Sequence, residues 1–129
     1  MKSFTSTLSV RRLLVTDGVI SGATGLAMIA GAGLAEPVLN IPAPLLRTAG
    51  VALLPFAAMV WLFSRHVTRS RVWTVVALNA AWAIASVLVL VGGAIEPTSA
   101  GVAFVLFQAL VVAALAELQF FGLRNVAMA

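Results

Sequence analysis

Residues 103–125 read AFVLFQALVVAALAELQFFGLRN, an apolar run whose only acid is Glu117 and whose first base is Arg124. A bilayer core of about 30 Å needs about 20 apolar residues at a helical rise of about 1.5 Å per residue, and this stretch is long enough. Its Ala, Leu and Val follow one another instead of alternating with polar residues. Lipid leaves the backbone only helices or closed barrels, and the continuous run selects the helix. The stretch therefore predicts a transmembrane helix carrying a carboxyl group. Two questions follow: how many helices accompany it, and what Glu117 meets.

Three further stretches have the same character, so the predicted spans cover about 13–35, 44–64, 72–95 and 100–123 of the 129 residues. Together they use nearly the whole chain, which reads as one transmembrane domain over 1–129, its spans preceded by a short frayed or interfacial cytoplasmic segment, 1–12, in which Ser9 is a candidate helix cap. The composition agrees: 62% of residues are hydrophobic and 9% charged, with a mean hydropathy of +1.12, outside the soluble range. The expected fold class is an all-α four-helix membrane bundle. The first span imitates a signal peptide, with a basic start and a small-residue "GLA" before Glu36, but Asp17 interrupts its beginning, and it is expected to be retained.

The net charge of +4 is not gathered into a stripe with interleaved aromatics, so nucleic acid is not an expected partner. The basic residues are placed by topology instead. Lys2, Arg11 and Arg12 precede span one, Arg65, Arg69 and Arg71 flank the loop between spans two and three, and Arg124 follows span four, whereas the other two loops, "AEPVLNIPAP" and "IEPTSAG", carry acids and no Lys or Arg. The positive-inside rule then predicts both termini and the loop "SRHVTRSR" in the cytoplasm, with Trp61 and Trp73 at interfacial depth.

Several chemistries are set aside by residue type. There are no cysteines, hence no disulfide or thiolate site. His66 is the lone histidine and belongs to a loop, so no histidine metal cluster or bis-histidine haem is expected. No phosphate loop or nucleophile motif is present, and no catalytic residue, metal or cofactor is expected.

Prolines mark the opposite ends of the spans: Pro37 and Pro97 follow Glu36 and Glu96, and Pro42 and Pro44 precede span two, all where helices should stop or start. A shift of 60 residues lays "GLAEP" on "GAIEP" and suggests two tandem hairpins related by a pseudo-twofold along the membrane normal. Pro55, in the middle of span two, removes a backbone hydrogen bond and predicts a bend.

Polar residues inside spans are costly, about 2.5 to 3.5 kcal/mol for a charge at helix centre, so they face partners or water. Asp17, Asn79 and Glu117 lie at similar depths near the cytoplasmic ends of spans one, three and four, and are expected to share a polar layer as ligand-binding or proton-coupling candidates. For Glu117 the alternatives are pairing with Arg65, Arg124 or Asn79, and a functional carboxyl without a close cation, which suits proton coupling or cation binding. Gln108 is half a turn out of phase with Glu117 and cannot share its stripe. Gly18, Gly22 and Gly25 form a small-residue surface for helix packing or self-association. On the outer side Glu36, Arg47 and Glu96 are expected either to form a charge cluster or to leave Arg47 snorkelling to the headgroups.

The runs "RRLLVTDGVISGATGL", "LLRTAGVALLPFAAMVWL", "VVALNAAWAIASVLVL" and "PTSAGVAFVLFQALVVAALAELQFFGLR" resemble a group of small bacterial four-span membrane proteins of unassigned activity. The resemblance implies a multi-pass protein of the bacterial inner membrane and adds no chemistry. Length and span number are also similar to those of the small multidrug resistance transporters, but the likeness is superficial: the first-span acid, Asp17, is close to the cytoplasmic end, the other is in span four, and there is no tyrosine. The expected function is a non-enzymatic inner-membrane protein that binds or transports a small hydrophobic or cationic ligand through the polar layer. The alternative is a structural or accessory subunit. The expected partners are the lipid bilayer and either further copies of the chain or another membrane protein.

Overall fold

The computed structural model describes residues 2–126, with side chains from 9 onward except that of 125; the side chain of Lys2 lies outside the described set. Four helices follow one another: α1 Lys2–Leu39, α2 Ala43–Arg65, α3 Arg69–Val91 and α4 Ser99–Gly122, closed by a short 3-10 turn, Leu123–Asn125. No strand occurs among the described residues. All four helices are long and apolar enough to cross a membrane, and they form a helical bundle. Its outer surface is apolar: Leu34, Val91, Phe107 and Leu110 are each more than two-thirds exposed. In a chain of this composition such a belt faces lipid.

The helix boundaries follow local chemistry. α1 runs through Ser9, which therefore caps nothing, and through Pro37, so the predicted stop at that proline is corrected. A proline in the last turn removes one donor without ending the helix. The stop is Asn40, at φ 53, whose N–H returns to the Glu36 carbonyl at 2.7 Å; Asn tolerates the left-handed conformation that closes a helix. α3 ends at Val91, short of the expected 95, because Gly92 and Gly93 follow and Gly93 turns at φ 77. Thr68 and Thr98 cap α3 and α4 by accepting from the N–H groups of Arg71 and Gly101, at 3.2 and 3.1 Å.

α1 and α2 form the tightest pair. A Cβ placed on Gly25 would lie 2.7 Å from the Gly50 carbonyl oxygen, and one on Gly50 would lie 2.6 Å from that of Gly25. Backbones approach this closely only where neither residue has a side chain, and between membrane helices, where lipid removes the hydrophobic drive, such contact supplies much of the packing energy. Gly18 and Gly22 continue the seam against Ala57, so the glycine stripe faces α2 of the same chain.

The α3–α4 hairpin packs against this pair through α1 and α4, whereas the backbones of α2 and α3 approach each other at few points, and α2 meets α4 only through side chains such as Leu46 and Val105. Two tandem hairpins are present, but a pseudo-twofold would make the α2–α3 seam equivalent to the α1–α4 seam. One is closed and the other open, so the arrangement is not symmetric. At the end bearing Glu36 and Glu96 the hairpins are stitched together: the Thr98 hydroxyl donates to the Val38 carbonyl at 2.7 Å, its N–H donates to the Leu39 carbonyl at 3.0 Å, and the Asn40 amide donates to the Glu96 carbonyl at 2.6 Å. At the opposite, basic end, Val10, Leu14, Val60, Val72, Val75 and Leu123 form a buried apolar cluster. The interior that matters for chemistry lies between these two ends.

Candidate functional site

Asp17 is 1% exposed and is the centre of the buried polar groups. Its carboxyl accepts three hydrogen bonds: from the Ser21 hydroxyl one turn along α1 at 3.1 Å, from the Asn79 amide of α3 at 2.7 Å, and from the Gln119 amide of α4 at 2.8 Å. The Asn79 amide also donates to the Gln119 Oε1 at 3.1 Å. Three helices are thus joined through one carboxyl group. All of its donors are neutral, and no cation lies within ion-pair distance among the described residues. A carboxylate is an acceptor-only group with room for about four such bonds, and neutral donors satisfy its lone pairs without cancelling its charge.

The predicted polar layer therefore forms with one change of membership. Asp17 and Asn79 meet as expected. Glu117 does not join them: it is exposed on the outward face of α4, with no side-chain partner among the described residues, and the expected pairing with Asn79 is replaced by Asn79 bonding Asp17 and Gln119. The reason is helical phase. Glu117 and Gln119 are two residues apart, about 200° around the axis, so only one can face inward. The signal that identifies Gln119 is its spacing from Gln108: eleven residues bring the two within about 20° of one face.

Gln108 supports a second layer, one level further from the basic end. It accepts from the Trp82 indole N–H at 2.8 Å and donates to the Ser86 hydroxyl at 2.9 Å, while Ser86 donates to the Trp82 carbonyl at 2.8 Å. Asn79, Trp82 and Ser86 thus make the polar seam of α3.

The open side of the bundle leads toward these layers, whose Asp17, Asn79 and Gln119 stay buried. Between α2 and α3 lies a cavity of about 360 Å³, walled by Leu53, Pro55, Phe56 and Met59 on one side and by Leu78, Asn79 and Trp82 on the other, with Ser21 and Val112 at the back. Its lining is apolar except where Ser21 and Asn79 reach the surface, and both are hydrogen-bonded to Asp17 directly behind them. Pro55 belongs to this wall. Toward the other end the cleft continues into a smaller space of about 170 Å³ lined by Leu45, Ala49, Trp82, Ser86 and Gln108. An apolar cleft with a few convergent polar groups is the usual form of a small-molecule site.

The expected outer charge cluster is not formed. Glu36 accepts from the Ala43 N–H at 2.9 Å and so caps the start of α2, which satisfies an orphan donor and places negative charge at a helix N-terminus. The Arg47 guanidinium lies over Gly33, Glu96 contributes its backbone carbonyl to Asn40, and no ion pair joins the three among the described residues. Exposed acids and bases at a bilayer surface have water and headgroups as competing partners, which removes the incentive to pair.

No metal-sized grouping of acids and histidine occurs among the described residues. Comparisons with protein-family models, curated proteins and solved structures give no match.

Proposed function

We propose that this membrane-spanning bundle is a non-enzymatic bacterial inner-membrane protein that takes a small hydrophobic cation from the bilayer into the cleft between α2 and α3. The observation that carries the reading is the buried Asp17 carboxyl, bonded only by neutral groups, directly behind the two polar residues on the cleft wall. A carboxylate matched by no cation of its own chain attracts one from outside, most strongly where the dielectric is low. Phe56 and Trp82 present aromatic groups in the same cleft, and aromatic faces add to cation binding. Ser21 and Asn79 are the polar groups that a ligand in the cleft would meet, and Asp17 lies directly behind them.

A second reading rests on a different observation: every buried side-chain polar atom already has a hydrogen-bond partner within the described structure. A fully satisfied network is what interhelical glue requires, and as such it would serve a structural or accessory protein whose partners are further copies or another membrane protein.

Equilibrium binding of tetraphenylphosphonium to protein in neutral detergent separates the two. The ligand reading expects saturable binding that Asp17→Asn weakens by more than about tenfold, or about 1.4 kcal/mol, while helical content is retained. The structural reading expects no saturable binding in either protein and a change confined to stability.

A further inference from the structure

We infer that the basic end of the bundle is a binding surface for the phosphates of anionic lipid headgroups, with Arg65 and Arg124 as its principal contacts. This proposal is independent of the cleft and of Asp17.

Charge is distributed unevenly between the two ends of the bundle. Of the eight Lys and Arg residues, all but Arg47 belong to this end, whereas the four acids are elsewhere: Asp17 in the buried layer, Glu36 and Glu96 at the far end, and Glu117 on the outward face of α4. No ion pair joins these basic residues to any of the four acids among the described residues, so their charge is available to groups outside the chain. The hydrogen bonds its arginines make confirm this. Arg11 donates to the Ser64 carbonyl at 2.7 Å, Arg69 to the Leu123 carbonyl, and Arg71 to the His66 carbonyl at 2.9 Å. These carbonyls belong to the ends of α2 and α4 or the turn beyond α2, where orphan acceptors need donors. A carbonyl satisfies a guanidinium N–H without neutralising its charge.

Arg65 and Arg124 are exposed and make no hydrogen bond among the described residues. Each is held over an aromatic ring: Arg65 over Trp61 at 5.2 Å and Arg124 over Phe121 at 5.7 Å. A guanidinium held over a ring spends no N–H on a hydrogen-bond acceptor, and its N–H edge matches two oxygens of a phosphate. The rings themselves are exposed among the lipid-facing residues, so the guanidinium groups are fixed where apolar surface gives way to headgroups. Long basic side chains elsewhere reach that depth by snorkelling without a fixed orientation; here the ring orients them.

The test uses full-length protein reconstituted in phosphatidylcholine vesicles containing either brominated phosphatidylglycerol or brominated phosphatidylcholine at equal mole fraction. Quenching of tryptophan fluorescence reports which lipid is adjacent. The expected result is stronger quenching by the anionic lipid, a preference reduced by added salt and lowered about five-fold or more in the Arg65→Gln/Arg124→Gln variant, since each arginine near an anionic surface accounts for roughly that factor. Neither side chain hydrogen-bonds the rest of the fold among the described residues, so circular dichroism should be unchanged, and Arg65→Lys/Arg124→Lys should retain much of the preference. Equal quenching by the two lipids, an unchanged preference in the glutamine variant, or displacement of the anionic lipid by inorganic phosphate at matched concentration would each overturn the proposal.

Discussion

Asp17→Leu is expected to lower the stability of the folded bundle by about 2–4 kcal/mol, measured as a shift in the midpoint of unfolding in a mixed detergent titration. The substitution strands three donors at once: the Ser21 hydroxyl and the Asn79 and Gln119 amides. Single interhelical hydrogen bonds in membranes average about 0.6 kcal/mol and reach about 1.7, while a buried donor left without a partner costs about 1–3 kcal/mol. The bond between Asn79 and Gln119 survives the change, which keeps the loss below the sum of the three. Asp17→Asn preserves the shape and an acceptor oxygen, and its cost should be nearer 1 kcal/mol. The order of the two variants matters as much as their size, because a purely steric role for Asp17 would make the better-filled leucine variant the more stable.

The second large effect is expected at the α1–α2 crossing. Gly25→Val places a branched side chain where even a Cβ lies 2.7 Å from the Gly50 carbonyl oxygen and 3.1 Å from the Leu53 Cβ. Neither neighbour is the flexible tip of a long side chain, so the helices must separate. Overpacking typically costs about 1–3 kcal/mol, and more when backbone has to move; a loss of about 3 kcal/mol or more is expected in the same titration. Gly31 supplies the control on the same helix. Nothing lies within 4 Å of its Cβ position, and Gly31→Ala should be neutral or stabilising by about 0.5–1 kcal/mol through helix propensity. If both glycines responded alike, the effect would belong to helix propensity and not to the crossing.

Much of this architecture was legible in the sequence because bilayer physics leaves few choices. An unbroken run such as 103–125 has only a helical solution, and the number of such runs sets the number of helices. Boundaries were less legible where a residue has two uses. Pro37 reads as a stop yet occupies the last turn of α1, and Asn40, an unremarkable loop residue in sequence, makes the left-handed turn that ends it.

The candidate site was half legible for a similar reason. Charge drew attention to Glu117, but a charge within reach of an interface can face outward, and in α4 it does. An uncharged glutamine is the better interior partner for a carboxyl, since it donates without bringing a second negative charge into the layer. Phase, read from Gln108 to Gln119, carried that information, and charge did not. The open seam between α2 and α3 was not legible at all. It depends on which pairs of helices find complementary small-residue surfaces, and the Gly25–Gly50 approach is specified by two residues that look ordinary in a chain with ten glycines.

The central claim is that one carboxyl group joins α1, α3 and α4, with Gln119 as its partner on α4. A double-mutant cycle between Asp17→Leu and Gln119→Leu tests it most directly, with Asp17→Leu and Glu117→Leu as the parallel cycle. A coupling of about 0.6–1.7 kcal/mol for the Gln119 pair, against none within about 0.3 kcal/mol for the Glu117 pair, is the predicted result. Coupling of Asp17 to Glu117 with none to Gln119 would contradict the account, because it would require α4 to be rotated by half a turn and the polar layer to be built from different residues.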